Sequence, residues 1–293
     1  MDKPFDWNRM RAFLASAEAG SLSAGAKSIG STQPTLSRQI AALEEELDVM
    51  LFERVGRGLQ LTLAGQTMLT HVREMGAAAD KVALAAIGQS TTIEGAVRIT
   101  AINLLSVTYL PAALAKIRAA APRLRIDVIA TNDIRDLMRR EADIAIRHVR
   151  PDQPDLVARL LREAQASLYA SEGYVQAHGL PQTPADLANH DFVAFGDPTE
   201  LLGYLTDLGL PITLDNLMIG SEDGLVAWEM ARAGLGICIM DQAVAKHYPG
   251  MVRILPDMPP VTYPVWLTTH REIHTSPRIR LVFDILADVF ARP

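Results

Sequence analysis

The feature that most constrains the fold is an amphipathic helical pattern that begins after Thr32 and extends to about Leu47. Pro34 would lie in its first turn, where a missing backbone N–H removes no helical hydrogen bond. The opposite side is small and polar over its N-terminal half. A helix of this kind packs on a core along one side and leaves its leading end exposed. The apolar side chains that share one side, at about 100° per residue, are Leu36, Ile40, Leu43 and Leu47.

Two shorter helical patterns precede this helix. The first covers about Trp7–Ala19 and should end at Gly20. The second covers about Ser23–Ile29, with Ser23 as the predicted N-cap and Gly30 as the stop. A helix-turn-helix enters the major groove of DNA with the N-terminal residues of its second helix. We therefore predict a DNA-binding helix-turn-helix over about residues 22–41.

A short β-hairpin is predicted after the third helix. Two stretches of alternating polarity, 51–54 and 59–62, flank a glycine-rich tip. Arg54 and Arg57 on such a wing would reach phosphates or the minor groove. Residues 1–62 carry seven Lys/Arg against eight Asp/Glu, and the whole chain has a net charge of −6, so bulk charge does not predict a nucleic-acid partner. The placement of the charges along the third helix and the hairpin does predict a nucleic-acid partner. A generic three-helix bundle with solvated charges remains the alternative.

Residues 21–65 resemble the DNA-binding domain of LysR-type transcriptional regulators. The most specific blocks are residues 33–40 (QPTLSRQI), Leu51-Phe52-Glu53-Arg54, and Leu61-Thr62 followed by Gly65. Two positions depart from the family pattern: Gly25 replaces the first of an Ala pair, and Asp48 replaces a helix-ending Gly. Asp tolerates the left-handed conformation better than most residues. Together, the resemblance and the exposed side of the third helix predict DNA contacts from Thr32, Gln33, Pro34, Thr35, Ser37, Arg38, Arg54 and Arg57.

A long helix should follow, from Thr62 as N-cap to about Gln89. Its apolar residues repeat at spacings of four and three, as in a helix that pairs with another helix. Packing on the chain's own domain is the alternative. The family resemblance implies a homodimer or homotetramer, with RNA polymerase as a further candidate partner. The predicted dimerisation residues are Met68, Val72, Met75, Ala79 and Val82.

Beyond Gly95 strand-like and helix-like runs alternate, which favours an α/β fold with a mostly parallel sheet. The resemblance implies two lobes, as in periplasmic binding proteins, with crossovers near Leu161 and Pro264. The predicted fold is thus α+β and multidomain: a winged helix-turn-helix (5–62), a linker helix (63–92) and a two-lobed effector-binding domain (93–293). Lobe I would comprise about 93–161 and 265–293, and lobe II about 162–264. Strands are predicted at 96–101, 124–130, 143–147, 167–170, 192–195, 217–219, 236–240 and 265–268, and helices at 106–120, 134–140, 173–178, 222–233 and 277–290.

Ligands of such sheets bind at the carboxyl ends of the strands. Arg147 is the only cation that this rule places in the crevice, so an anionic effector is one option and an interlobe salt bridge is the other. We interpret His148 as a residue of the crevice rim. The predicted effector-binding residues are Asn103, Leu104, Leu105, Ser106, Thr131, Asn132, Arg147, His148, Phe195, Gly196, Asp197 and Ser221.

Other classes of function receive little support. The chain contains no G-x-S-x-G, P-loop or G-x-G-x-x-G motif, and His270 and His274 lack the H-E-x-x-H order, so we predict no catalysis, cofactor or metal. No apolar run is long enough for a membrane span, and the N-terminus has no apolar signal-peptide core, so a cytoplasmic location is expected. A free-standing solute-binding protein would not need the first 62 residues. A LysR-like regulator that acts without an effector remains the alternative.

Overall fold

The computed structural model describes residues 6–55, 58–88, 92–132 and 142–291. They fall into two compact units, Met1–Ala86 and Ile87–Pro293, each of which is described by itself.

The first unit begins with the three predicted helices: α1 (Trp7–Ala19), α2 (Leu22–Ser28) and α3 (Gln33–Leu47). The end of α3 confirms the prediction for Asp48, which adopts the left-handed conformation with φ 55°. The start of α2 differs from the prediction, because Ser21 rather than Ser23 is the N-cap and accepts from the Ala24 amide at 3.2 Å. Starting one residue after Ser21 places Leu22 against the core of the unit.

The predicted hairpin is present, with β1 (Phe52–Val55) antiparallel to β2 (Gly58–Leu61). Glu44 on α3 holds its start, since Oε1 accepts from the amides of Leu51 at 2.7 Å and Phe52 at 3.1 Å. Arg57 lies outside the described residues, and only the backbone of Arg54 is described.

The long helix α4 (Leu63–Gly88) begins directly after Thr62, whose Oγ1 accepts from the Gly65 amide at 3.0 Å as a cap should. Its first turns differ from the predicted dimer seam. Val72 is only 2% exposed inside the core of the first unit, and Met68 packs against that same core. Val72 is therefore unavailable to a partner helix, whereas Met68 is half-buried against the helix-turn-helix. Met75, Ala79 and Val82 remain exposed.

Lobe I of the second unit is built on a parallel pairing of β3 with both β4 and β5. In place of the single predicted helix 106–120 there are two helices, separated by Tyr109, and the first of them begins three residues earlier than predicted. Pro111 lacks the N–H that a continuous helix would need there. The predicted helix 134–140 lies outside the described residues. The elements are β3 (Gly95–Ala101), α5 (Asn103–Thr108), α6 (Leu110–Ala120), β4 (Leu124–Ala130), β5 (Ile144–Arg147) and the C-terminal helix α11 (Pro277–Ala291), which packs on α6.

Lobe II has its own apolar core, formed around Leu168, Phe192, Leu205 and Ile237. Helices α8 and α10 and strand β10 were not predicted, and the predicted strand at 217–219 lies two residues later. The elements are α7 (Glu172–His178), β7 (Val193–Phe195), α8 (Pro198–Asp207), β8 (Ile219–Ser221), α9 (Gly224–Arg232), β9 (Cys238–Asp241), α10 (Gln242–Ala245) and β10 (Met251–Arg253), with 3-10 turns at Pro184–Asn189 and Leu214–Leu217.

Two long strands, β6 (Leu156–Ser171) and β11 (Val261–His270), cross between the lobes. They pair antiparallel, with Pro264 opposite Glu163, so both predicted crossover positions lie within them. The main sheet has the order β10-β6-β11-β5-β3-β4, with β9 on β6. It is therefore mixed rather than mostly parallel, because the crossover strands themselves join the sheet. Over the described part of the chain, no helix has the length and apolar character to cross a membrane.

Candidate functional site

The leading end of α3 is the exposed surface of the helix-turn-helix. Leu36 and Ile40 hold the helix on the core, being 0% and 5% exposed. Arg38 extends from the opposite side, and its Nε donates to the Pro34 carbonyl over a long 3.4 Å. The Thr32 and Thr35 hydroxyls lie 2.9 Å apart. Of the predicted DNA-binding residues on this helix and its N-cap, Ser37 is half-buried, and the exposed ones are Thr32, Gln33, Pro34, Thr35 and Arg38.

The acidic end of α3 is largely engaged within the unit. Glu44 accepts the two hairpin amides described above, and Glu46 accepts from Arg9 Nη1 at 2.6 Å. These contacts partly compensate two of the negative charges on α3, so the net charge of the unit overstates how negative the surface of this helix is.

A cavity of about 500 Å³ lies between lobes I and II of the second unit. Both lobes and the crossover strand β11 contribute to its wall. Its lining residues are Ile102, Leu104, Asn132, His148, Ala166, Phe195, Gly196, Tyr204, Glu222, Gly224, Ile239, Met240, Asp241, Val261, Thr262 and Tyr263.

Five of the twelve predicted effector-binding residues line this cavity: Leu104, Asn132, His148, Phe195 and Gly196. The others lie close by in chain position but have other contacts. Leu105 is in the core. Asp197 caps α8 by accepting from the Thr199 amide at 2.7 Å. The remaining contacts are Ser106 Oγ to the Ala101 carbonyl (3.3 Å), the Thr131 amide to the Ala101 carbonyl (3.0 Å) and the Asp223 amide to Ser221 Oγ (3.1 Å).

Arg147 is 3% exposed and does not line the cavity. Its Nη2 donates to Thr100 Oγ1 at 2.8 Å, and its Nη1 donates to the Ile146 carbonyl at 3.0 Å. Both of these bonds lie within lobe I.

Asp241, which the sequence reasoning missed, is the centre of a polar cluster at the cavity wall. Its Oδ2 accepts from the Tyr263 hydroxyl at 2.6 Å and from Arg162 Nη2 at 3.1 Å. Arg162 also donates to the Tyr109 hydroxyl at 3.0 Å, and Asp241 Oδ1 caps α10 through the Ala243 amide at 2.7 Å. Asp241 directly follows the predicted strand 236–240 and is the last residue of β9, so the strand-end rule that selected the other residues reaches it and could have found it.

Two titratable groups of the wall, His148 and Tyr263, are held in uncharged forms. His148 packs against Tyr263, with ring centroids 4.6 Å apart. Burial lowers the pKa of His148 to about 4, an effect that Asp241 opposes and Arg162 reinforces. Burial, and next to it the Asp241 charge, raises the pKa of Tyr263 well above its ordinary value. At neutral pH the imidazole is therefore uncharged and the phenol is protonated.

Side chains of the two lobes also meet beside the cavity. Asn103 Nδ2 on α5 donates to Asp223 Oδ2, and Asn132 Nδ2 donates to the same oxygen at 3.4 Å. Asp223 Oδ1 caps α9 by accepting from the Leu225 amide at 2.8 Å. Asn103 is thus a bridge between the lobes rather than a wall residue.

Comparison with known protein families identifies both units. Residues 7–66 match the helix-turn-helix model of bacterial regulatory proteins of the lysR family, and residues 90–291 match the LysR substrate binding domain. The chain belongs to the LysR family. It is similar to the HTH-type transcriptional regulator ClcR of Pseudomonas putida, at 27% identity over 82% of this chain and 84% of ClcR. It is 25% identical to the regulator CrgA of Neisseria meningitidis serogroup C (strain 8013), over 94% of both chains.

Solved LysR-family structures share the fold. The full-length virulence activator AphB of Vibrio cholerae has a TM-score of 0.66 at 22% identity, covering 97% of this chain and 99% of AphB. Full-length CbnR in complex with its target DNA has a TM-score of 0.57 at 22% identity, covering 98% of this chain and all of CbnR. The chain is a LysR-type transcriptional regulator with a helix-turn-helix domain and a substrate-binding domain, and it is not an enzyme.

Proposed function

We propose that the leading end of α3 reads the bases of an operator while the wing holds the DNA backbone. Base and backbone contacts come from Thr32, Gln33, Pro34, Thr35, Ser37 and Arg38, and wing contacts from Arg54 and Arg57. The observation that best supports this assignment is the exposed N-terminal half of α3, which a fully buried side holds in place. Arg38 is the strongest candidate for base recognition, because its guanidinium can donate two hydrogen bonds to one guanine.

Replacement of Arg38 by Ala tests this assignment. The operator is first obtained by selecting bound duplexes from a random library, and affinities are then measured by fluorescence anisotropy at one fixed salt concentration. Arg38→Ala should lose about 1–3 kcal/mol and discriminate less between bases, whereas Arg57→Ala should weaken all duplexes alike with a shallower salt slope. Arg11→Ala, an exposed arginine on α1, is the matched control and should bind as wild type does. Wild-type affinity and selectivity in Arg38→Ala would refute the assignment.

We further propose that a small-molecule effector binds the cavity between the lobes and changes how the protein occupies DNA. Leu104, Asn132, His148, Phe195 and Gly196 are the proposed contact residues, and Asn103, Leu105, Ser106, Thr131, Arg147, Asp197 and Ser221 support the wall. A cavity of about 500 Å³ with both lobes in its wall supports this reading over a regulator that acts without an effector. A thermal-shift screen of metabolites tests it, since a ligand at 100 times its Kd stabilises by about 2.7 kcal/mol.

We also propose that the protein associates with itself through α4 and works beside the DNA. The exposed side chains of Met75, Ala79 and Val82 support a homodimer or homotetramer formed through α4. Such a regulator would work in the cytoplasm, beside the DNA, and contact RNA polymerase at the promoter. The proposed boundaries are 5–62 for the DNA-binding domain, 63–92 for the linker helix and 93–293 for the effector-binding domain.

A further inference from the structure

The chemical class of the effector can be inferred from the cavity wall. Most of the wall is apolar and comes from both lobes and from β11: Ile102, Leu104, Phe195, Ile239, Met240 and Val261. The two ionisable carboxylates of the wall are Glu222 and Asp241. Glu222 is exposed and directly precedes Asp223, the acid of the interlobe bridge. A ligand that enters therefore meets apolar surface and negative charge.

Among the described residues, the largely buried cations next to the wall, Arg162 and Arg147, are both engaged by other groups of the protein. The Asp241 and Arg162 side chains are 2% and 11% exposed and form an ion pair with each other, so the Arg162 charge is already compensated. Arg147 donates to Thr100 and to the Ile146 carbonyl of lobe I, neither of which lines the cavity. His148 is uncharged at neutral pH, because burial lowers its pKa to about 4. A carboxylate placed here would lose its hydration without gaining an ionic partner among the described wall residues, which is costly.

The hydrogen-bonding groups of the wall favour a ligand that donates. The Tyr263 hydroxyl donates its hydrogen bond to Asp241, so towards a ligand the Tyr263 oxygen can act only as an acceptor. The Glu222 carboxylate also accepts, as does Asn132 Oδ1, which already accepts from the Asn103 amide at 3.2 Å. A hydroxyl or an amide N–H on the ligand would satisfy these groups.

We propose that this cavity binds an uncharged, mostly apolar small molecule bearing a hydrogen-bond donor, and that it discriminates against carboxylates and sulfonates. The inference rests on the proposed role of the cavity as the effector site. It departs from the anionic effector that the sequence allowed, because that expectation depended on Arg147 lining the crevice.

Two fluorescent probes with the same aromatic skeleton test the inference on the full-length protein. N-phenyl-1-naphthylamine is uncharged, and 1-anilinonaphthalene-8-sulfonate adds one sulfonate to it. We expect the uncharged probe to bind the cavity about tenfold more tightly than the anionic one. The cavity component of each titration is the part that Leu104→Trp removes, since Leu104 lines the cavity. Val107→Trp, on the same helix but 55% exposed and outside the wall, is the matched control and should leave binding within about twofold of wild type.

A charge change at Glu222, the exposed acid of the cavity wall, provides a second, independent readout. Glu222→Lys should improve binding of the anionic probe severalfold and leave the uncharged probe nearly unchanged, whereas Glu172→Lys, an exposed acid elsewhere on lobe II, should change neither. Equal or tighter cavity binding of the sulfonate in the wild type overturns the inference, as does the failure of the uncharged probe to bind. Whether any metabolite alters operator binding is measured separately. An anionic metabolite that does so through a Leu104→Trp-sensitive site would leave the proposed function intact and refute only the ligand class.

Discussion

At the scale of the residue, Gly65 shows how one position can be decided by a backbone contact. A Cβ atom at Gly65 would overlap the carbonyl oxygen of Leu51. The same carbonyl accepts from the Thr62 amide at 3.0 Å, so the start of α4 is held directly against the residue that precedes β1. The glycine of the family pattern therefore permits a close approach of two backbones.

Substitution of Gly65 by Ala should accordingly destabilise the first unit by about 1–3 kcal/mol, although Ala is the better helix former. Gly76→Ala in the same helix is the control. A Cβ there would meet the end of the Leu14 side chain at 3.0 Å, a flexible group that can move, and the Trp7 ring at an ordinary contact distance of 4.0 Å. Hydrogen exchange of peptides from residues 33–75 measures the local free energy of opening in both variants. Equal protection in Gly65→Ala and wild type would contradict the close approach.

At the scale of the element, α4 has two different environments along its length. Its first turns bury Leu69 and Val72 in the first unit. Farther along, Val82 is 72% exposed and Met75 is 41% exposed. The two halves should therefore respond differently to the same substitution.

We expect Val82→Glu to weaken self-association of the full chain while the first unit stays folded, because a charge in a helix–helix seam is buried without a partner. Val72→Glu should instead unfold the first unit, since Val72 belongs to its core. Sedimentation velocity reports the association, and circular dichroism reports the folding. Ala77→Glu, an exposed position on the other side of α4, should leave both unchanged. If Val82→Glu sediments as wild type does, the interface between copies lies elsewhere.

At the scale of the whole molecule, the lobes of the second unit are joined in two ways. The crossover strands β6 and β11 carry one sheet through both lobes. The bridge from Asn103 to Asp223 closes the gap beside the cavity with side chains alone. A ligand that prefers one spacing of the lobes can break or form the Asn103–Asp223 bridge much more easily than it can alter the paired crossover strands.

A double-mutant cycle measures the bridge. Asn103→Ala and Asp223→Ala should show a coupling energy of about 0.5–1.5 kcal/mol, the usual net worth of one hydrogen bond. Unfolding in urea can be followed through Trp228, which is fully buried in α9. Asp197→Ala removes the cap of another lobe II helix and does not contact Asn103, so its effect should be additive with Asn103→Ala. Additivity in the Asn103–Asp223 pair as well would mean that the bridge does not hold the lobes together.

The sequence by itself determined the features that depend on near neighbours in the chain. The buried side of α3, the left-handed Asp48 and the Thr62 cap all follow from contacts within a few residues, which recur wherever the same pattern occurs. The ends of β3, β4 and α11 were predicted to within about a residue for the same reason. The sequence blocks shared with the family in residues 33–65 supported the prediction of the wing and of DNA binding.

Only the tertiary structure decided which groups share an environment. Val72 is buried in its own unit because the helix-turn-helix offers an apolar surface that the heptad pattern of α4 cannot reveal. The sheet is mixed because the crossover strands pair with each other and with β5. The cavity lacks Arg147 and contains Asp241, whose ion pair with Arg162 joins residues 79 positions apart. No local pattern encodes such a pair, because its energy exists only once folding has brought the two side chains together.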